Sequence, residues 1–324
     1  MPFDPSLLRK IGQEISAAQR VMVVSHIRPD GDAIGSLLGL GLALQEKGKD
    51  VQMILEDGLP ASYRHLAGSQ QIRKRPQGEF DFICVVDCSD LERVGEALAD
   101  RRTPDLNLDH HLTNLNFARF NLVDTHAVAS AEIIADLLPV WGIPLSIPSA
   151  AALLTGLITD TIGFRTSNMT PKALRLAADL MAMGIDLPDL YQRALVNRSY
   201  EAMRLWGAGL SKLERNGRVV WTTLTLADRA DVRYPGRDDA DLINMLVNVE
   251  GADVAVIFLE QTDRRVKVSW RAQPGIDVSR LALNHGGGGH SAASGAEILG
   301  SLEEVQATVL HETRELLGEN DFVS

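Results

Sequence analysis

Cysteine is scarce in this sequence: Cys84 and Cys88 are the only two in 324 residues. Four positions apart around the end of an apolar run, they do not make a disulfide framework, and reduced thiols in a cytoplasmic protein are the expectation. Long hydrophobic runs are missing too; the apolar stretches are short and interrupted, so none is expected to span a bilayer. Residues 1–10 lack an apolar core followed by a small-residue cleavage site, so no secretory leader is expected. Positive charge is in short supply as well, with 32 Lys and Arg against 43 Asp and Glu and a formal net charge of −11. Gripping a long polyanion takes many cationic contacts, because counterion release supplies most of that affinity. The densest basic cluster, Arg73, Lys74 and Arg75, is too short for that and reads as a solvated loop. A long nucleic acid is therefore not an expected partner, whereas a small anion held by metals and a few local cations is.

What remains is ordinary globular material, 45% apolar and 23% charged, in a chain long enough for two domains. Leu7, Leu8, Ile11 and Ile15 repeat at helical spacing. Compact apolar runs follow at 21–24, 51–55, 80–86 and 106–108, separated by stretches with helical character, one of them running from about Asp32 to Gly48. Short apolar runs alternating with helices indicate a mainly parallel sheet with helices on both faces, an α/β catalytic domain. Residues 130–139, 148–158, 171–183 and 186–196 then read as successive helices. A polar amphipathic helix near 199–215 suggests a linker, and strand patterns return at 219–226, 254–259 and 266–270 before a terminal helix at 302–317. The expected division is 1–196, a helical linker over 197–215, and a smaller α/β domain with a mixed sheet over 216–324. In the linker helix the stripe Trp206, Leu210 and Leu213 reads as core rather than as a surface for stacking bases.

Polar residues gather where the apolar runs end. The first run leads into Ser25-His26-Ile27-Arg28-Pro29-Asp30-Gly31-Asp32, an imidazole and two carboxylates in one loop. Asp32 alone could be a helix N-cap and Asp30-Gly31 a turn. Together at a strand's carboxyl end they point to a ligand site, because open α/β sheets bind ligands there. Asp87 ends a buried run, where a bare carboxylate is costly unless a cation or donors meet it; a helix cap is the competing explanation. Asp109-His110-His111 also follows a strand directly. Adjacent histidines point different ways, so one can ligate a metal while the other faces substrate, with Asp109 orienting an imidazole. Asp160 closes an otherwise apolar helix, as a metal ligand or a buried cap. Imidazole and carboxylate donors without thiolate suit manganese, magnesium or zinc. Four Asp and two His exceed the needs of one tetrahedral ion and match two ions sharing a carboxylate, the arrangement that serves phosphoryl transfer.

Taken in order, His-Ile-Arg-Pro-Asp-Gly-Asp, Val-Val-Asp, Asp-His-His and Thr-Asp-Thr resemble the four motifs of the DHH phosphoesterase superfamily. Farther along, Gly286-Gly287-Gly288-Gly289-His290-Ser291 resembles the glycine-rich signature of the DHH-associated substrate-binding domain, so the likeness extends over essentially the whole chain. The resemblance implies that His26, Asp30 and Asp87 hold one metal. It implies that Asp32, Asp87, His110 and Asp160 hold the other, with Asp87 bridging and His111 beside the metals at the scissile phosphate. Two Mn2+ ions per site are implied, with Mg2+ as the other option. In the second lobe the backbone amides of Gly286, Gly287, Gly288 and Gly289, together with His290 and Arg271, would contact substrate phosphate or sugar; a flexible surface loop is the competing reading of the glycines. His65, His126 and His311 read as ordinary surface or packing histidines.

Within the superfamily, the chain leaves no residues for the added module of its single-strand exonucleases and no membrane helices like those of its cyclic-dinucleotide phosphodiesterases. It is similar instead to the compact nanoRNase and 3′-phosphoadenosine-5′-phosphate (pAp) phosphatase group. The expected activity is manganese-dependent hydrolysis of short oligoribonucleotides to nucleoside 5′-monophosphates, removal of the 3′-phosphate of pAp, or both. Two other readings stay open: a phosphodiesterase of linear or cyclic dinucleotides, and a non-catalytic nucleotide sensor. The sequence also leaves a homodimer open.

Overall fold

The computed structural model describes residues 2–99 and 101–318, which divide into two compact units after Asn197. In the first, helix α1 (Pro5–Ala17) precedes strand β1 (Arg20–Val24), helix α2 (Gly31–Glu46) and strand β2 (Asp50–Ile54). Strands β3 (Phe82–Val86), β4 (Leu106–Asp109) and β5 (Phe120–Val123) follow, and then helices α3 (Ser130–Val140), α4 (Ile147–Asp160), α5 (Pro171–Ala182) and α6 (Leu187–Tyr191). The five strands form an all-parallel sheet in the order β2-β1-β3-β4-β5. Every residue of β3 is buried, as expected for a central strand covered on both faces. One face packs on the α-helices; the other is covered by the 3-10 helical segment Leu91–Leu98 and neighbouring loops, around Met22, Ile54, Ile83, Val85 and Val94.

Helix α2 is buried along nearly its whole length, and glycines let it lie close to α4. A Cβ on Gly35 would stand 2.5 Å from the Ala152 carbonyl oxygen, and one on Gly156 would stand 2.6 Å from Asp32 Oδ1. Backbone contact at that crossing brings the start of α2 against the middle of α4.

The second unit opens with helix α7 (Tyr200–Leu210), strands β6 (Glu214–Asn216) and β7 (Val219–Leu224), and helices α8 (Leu226–Val232) and α9 (Ile243–Leu246). The hairpin β8 (Val254–Gln261) and β9 (Arg265–Ala272) follows, with helix α10 (Ser279–Asn284), strands β10 (Gly288–His290) and β11 (Ala293–Leu299), and helix α11 (Leu302–Leu316). Its six-stranded sheet runs β10-β11-β9-β8-β7-β6, antiparallel except for β7 against β8. Of the segment 197–215, expected as a linker, all but Asn197 is built into this unit. Leu205 of α7 is fully buried in a cluster with Val220, Leu224, Leu242 and Ile257, and Trp206 donates its indole N–H to the Ala240 carbonyl. Of the expected stripe, Leu210 at the end of α7 and Leu213 beyond it stay exposed, because the apolar contact of the helix is made through Ala202, Leu205 and Gly209. Among the described residues no helix is long and apolar enough to cross a membrane. Both cysteines are free and buried.

Candidate active site

The sheet order makes β1 and β3 neighbours whose onward connections leave toward opposite edges, and in open α/β sheets ligands bind outside the strand ends at such a switch point. His26 follows β1 and Asp87 follows β3. Asp87 has a left-handed backbone, φ 52°, which turns the chain sharply out of the sheet and is tolerated by Asp better than by most residues. It caps no helix; the segment 91–98 is capped by Asp90. Asp30 is the N-cap of α2, its Oδ1 accepting from the amides of Asp32 and Ala33, while its other oxygen faces His26. Asp32 caps a different helix: its carboxylate accepts from the amides of Ser130 and Ala131 at the start of α3 and from the Ser36 hydroxyl.

Three groups of donor atoms, each within 4.8 Å of one another, emerge from these loops: His26, Asp30 and Asp87; Asp32, His110 and Asp160; and Asp87, His110 and His111. Asp87 is a member of the first and third groups, and His110 links it to the second, so Asp87 sits at the centre of the arrangement. Its oxygens lie 3.6 Å from His26 Nε2, 3.7 Å from His110 Nε2 and 3.7 Å from His111 Nδ1, and His110 Nε2 is 3.6 Å from Asp160. These gaps are too long for hydrogen bonds and leave room for a cation between the donors. The far ring nitrogens are fixed from behind, His26 Nδ1 at 2.8 Å from the Ile27 carbonyl and His110 Nδ1 at 3.3 Å from the Ala127 carbonyl. That leaves each Nε2 to face the carboxylates, as a ligating imidazole requires. His65, His126 and His311 belong to none of the groups.

The electrostatics also ask for cations. Burial, and then the negative charges of Asp87 and Asp160, push Asp32 well above the usual carboxylate range. Asp160 is raised in the same way by burial and by Asp30 and Asp87. Burial works against the charge of Asp87, but the imidazoles of His26, His111 and His110 outweigh it and hold its carboxyl far below that range. His111 is buried, which opposes its protonation, yet the carboxylates of Asp109 and Asp87 raise it to about 9. A crowd of carboxylates and imidazoles that can ionise fully only at mutual cost suits divalent ions. The donor set of oxygen and imidazole nitrogen without thiolate fits manganese or magnesium.

Asp109 is fully buried and accepts from His111 Nδ1 at 2.7 Å while Asn114 donates to its second oxygen. Asn114 and Ser130 have no counterpart in the expectations from sequence. Ser130 donates its hydroxyl to Asp87 at 3.0 Å and its amide to Asp32, so it joins a carboxylate at the end of β3 to one at the start of α2. Nothing in Ala-Val-Ala-Ser-Ala around it announces that role.

In the second unit, Arg271 on β9 is half-buried, its Nε donating to Asn244 Oδ1 at 3.1 Å and its Nη1 to the Trp270 carbonyl at 3.0 Å. Strand register places Arg271 opposite Ala293, and Ala293 opposite His290, so the three positions form one row across the sheet. The side chain of His290 lies outside the described residues. The glycine run is not a free loop. Gly288 and Gly289 pair with Gly295 and Ser294, and the amides of Gly286 and Gly287 donate to the Leu283 and Ala282 carbonyls at the end of α10. This corrects the expectation that all four glycine amides face a phosphate: the first two are spent capping a helix. Gly289, at φ 136°, and Gly287, where a Cβ would stand 2.2 Å from the Gly295 carbonyl oxygen, are required by the backbone path.

With this geometry in place, the comparisons with known proteins are specific. Residues 20–185 match the model of the DHH family N-terminal domain, and residues 233–319 match that of the DHHA1 domain. The chain belongs to the DHH family. It is 33% identical over 316 residues to the bifunctional oligoribonuclease and PAP phosphatase NrnA of Thermus thermophilus, covering 96% of this chain and 94% of that one. The NrnA protein of Bacillus subtilis is 25% identical over 290 residues, covering 88% and 91%. Among solved structures, an exopolyphosphatase-related protein from Bacteroides fragilis superposes with a TM-score of 0.89 at 26% identity over 98% of both chains. The first matched region carries the parallel sheet with its donor groups, and the second carries strands β8 to β11 of the mixed sheet with Arg271.

Proposed function

We propose that this chain is a manganese-dependent phosphoesterase that hydrolyses oligoribonucleotides of a few residues and removes the 3′-phosphate of pAp. The observation that carries the reading is the set of overlapping donor groups pivoting on Asp87 at the switch point of the parallel sheet. Relatives similar over nearly the whole chain and named for both activities support it. His26, Asp30 and Asp87 would hold one Mn2+, and Asp32, Asp87, His110 and Asp160 the other. Bound there, the ions would supply polarisation of the phosphate and a nucleophilic water near neutral pH. His111, held by Asp109, contacts the phosphate, and its imidazolium stabilises charge that grows on the phosphoryl oxygens. Residues 1–196 form the catalytic domain, and the second unit supplies the substrate contacts through Arg271, Gly288, Gly289 and His290. Arg271 keeps Nη2 for an incoming phosphate, since its Nε and Nη1 bond to the protein.

A substrate panel with Mn2+ tests this: pAp, RNA of two to five nucleotides, cyclic dinucleotides, pyrophosphate and longer single-stranded DNA. Hydrolysis of pAp and short RNA, abolished in Asp87→Ala while the circular dichroism spectrum is retained, is the expected result. Hydrolysis confined to cyclic dinucleotides, or activity surviving in Asp87→Ala, would overturn it.

A further inference from the structure

Arg271 lies on the face of the mixed sheet that α7 and α9 cover over β7 and β8. Its pair partner on β8 is Ala255, which belongs to the apolar cluster beneath those helices with Leu205, Leu242, Ile243 and Leu246. Directly paired residues share a face. On the other side of Arg271 its row continues to Ala293, and the neighbouring row runs from Ile257 through Ser269 to Gly295. Beyond β8 the strands beside the guanidinium therefore present small side chains, which leaves room for a ligand. Asn244 of α9 meets Arg271 where the covered part of the face gives way to this strip, its Oδ1 accepting from Arg271 Nε at 3.1 Å.

That one bond fixes what the rest of the amide can do. Arginine only donates, so the oxygen of Asn244 must be the atom that faces it, and the NH2 group is turned elsewhere. Asn244 is half-buried, and among the described residues neither N–H of that group has a hydrogen-bond partner. The backbone beneath it is held. Leu242, Ile243 and Leu246 are buried, the Ile243 amide donates to Asp239 Oδ2 at 3.0 Å, and the Asn244 amide donates to the Asp241 carbonyl at 3.1 Å. The chain enters α9 through two successive left-handed residues, Ala240 at φ 53° and Asp241 at φ 66°, a conformation kept only where the surroundings enforce it. The nearby carboxylates are already engaged, Asp239 by that amide and Asp241 by Arg198 at 2.8 Å. Two N–H donors on a fixed backbone, unspent and beside a guanidinium, suit an anion. We propose that Asn244 is a substrate-binding residue whose side-chain amide donates to the same substrate phosphate as Arg271 Nη2. This rests on the reading above in which Arg271 contacts substrate, and it adds a neutral donor to that contact.

Substitution separates the two ends of the amide. Asn244→Asp keeps an oxygen for Arg271 but gives no N–H and sets a negative charge against phosphate, whereas Asn244→Ala removes both ends. AMP binding is measured by calorimetric titration in Mn2+, and rates on pAp and an RNA dinucleotide are taken beside it, with Arg271→Ala for comparison. A hydrogen bond to a charged group is worth about tenfold in affinity. Asn244→Ala is therefore expected to weaken AMP binding and raise KM by about that factor, with kcat moving less. Asn244→Asp should bind AMP more weakly still, although a residue that merely braced Arg271 would be replaced by Asp without loss. Mn2+ affinity and the circular dichroism spectrum are expected to match wild type in both variants. Wild-type AMP affinity in Asn244→Ala, or tighter binding by Asn244→Asp than by Asn244→Ala, overturns this proposal alone when Arg271→Ala is weakened. Unchanged AMP affinity in Arg271→Ala overturns the role of Arg271 and this proposal with it, and a wild type inactive on both substrates overturns the phosphoesterase reading itself.

Discussion

The pairing of Asp109 with His111 shows how one buried carboxylate sets the state of its neighbour. Asp109 is fully buried, and its two oxygens are taken by His111 and Asn114, so the imidazole is held in one orientation with its Nδ1 committed. Burial alone would favour the neutral ring; the adjacent carboxylates reverse that and carry the pKa to about 9. Because the folded value lies above the unfolded one of about 6.5, the stability gained from the charged ring is complete below the unfolded value. It is lost as the pH climbs through about 9. In the metal-free protein, Asp109→Asn is expected to bring the His111 titration down toward about 6.5, read from its ring proton by NMR. It should also lower the melting temperature at neutral pH and reduce kcat more than KM. A His111 titration unmoved by the substitution would mean that Asp87, 3.7 Å away, holds the proton instead.

At the scale of elements, the site depends on how closely α2, α3 and α4 approach. Gly156 on α4 leaves the space that Asp32 fills, and a methyl group there would stand 2.6 Å from Asp32 Oδ1 and 2.8 Å from the Ala131 Cβ. Gly156→Ala is therefore expected to destabilise the fold by roughly 1–3 kcal/mol, the usual cost of overpacking. Because the clash falls on a candidate ligand, Mn2+ affinity should drop with it, and a calorimetric titration beside a thermal melt would register both. Overpacking that lowered the melting temperature and left Mn2+ binding intact would separate the crossing from the site. Most of these elements were legible in advance because their physics is local. The runs at 21–24, 80–86 and 106–108 are apolar and end in polar residues, which is how buried parallel strands delivering side chains to their carboxyl ends read. Strand β5, four residues long with alternating burial, offered too little pattern. Strands β10 and β11 are rich in Gly, Ala and Ser, which have little strand preference of their own; pairing with β9 imposes the conformation. The same holds for the site. The metal-ligand candidates are legible as carboxylates and imidazoles stranded after apolar runs, whereas Ser130 meets them through contacts that only the fold creates.

For the whole molecule, the chain carries two units with their own cores, so heat need not melt it in one step. The first unit stores an electrostatic cost. Asp32 and Asp160 have raised folded pKa values, so without metal their contribution is present at low pH and lost as the pH rises and both ionise beside Asp87. Divalent ions reverse that sign, because they bind the ionised carboxylates and compete with protons for them. At about a hundred times its dissociation constant, an ion should stabilise this unit by about 2.7 kcal/mol. The gain should be larger at about pH 8 than at about pH 6, since fewer protons need displacing. Asp160→Asn, which removes a partly exposed charge without leaving a cavity, is expected to raise the metal-free melting temperature by about 3 °C and to erase most of the gain from Mn2+. Differential scanning calorimetry with and without Mn2+ reads both effects, and the transition of the second unit serves as the internal control. If Mn2+ raised both transitions equally, or if Asp160→Asn lowered the metal-free one, the carboxylate cluster would not be the source of the cost, and the assignment of Asp160 as a ligand would fall with it.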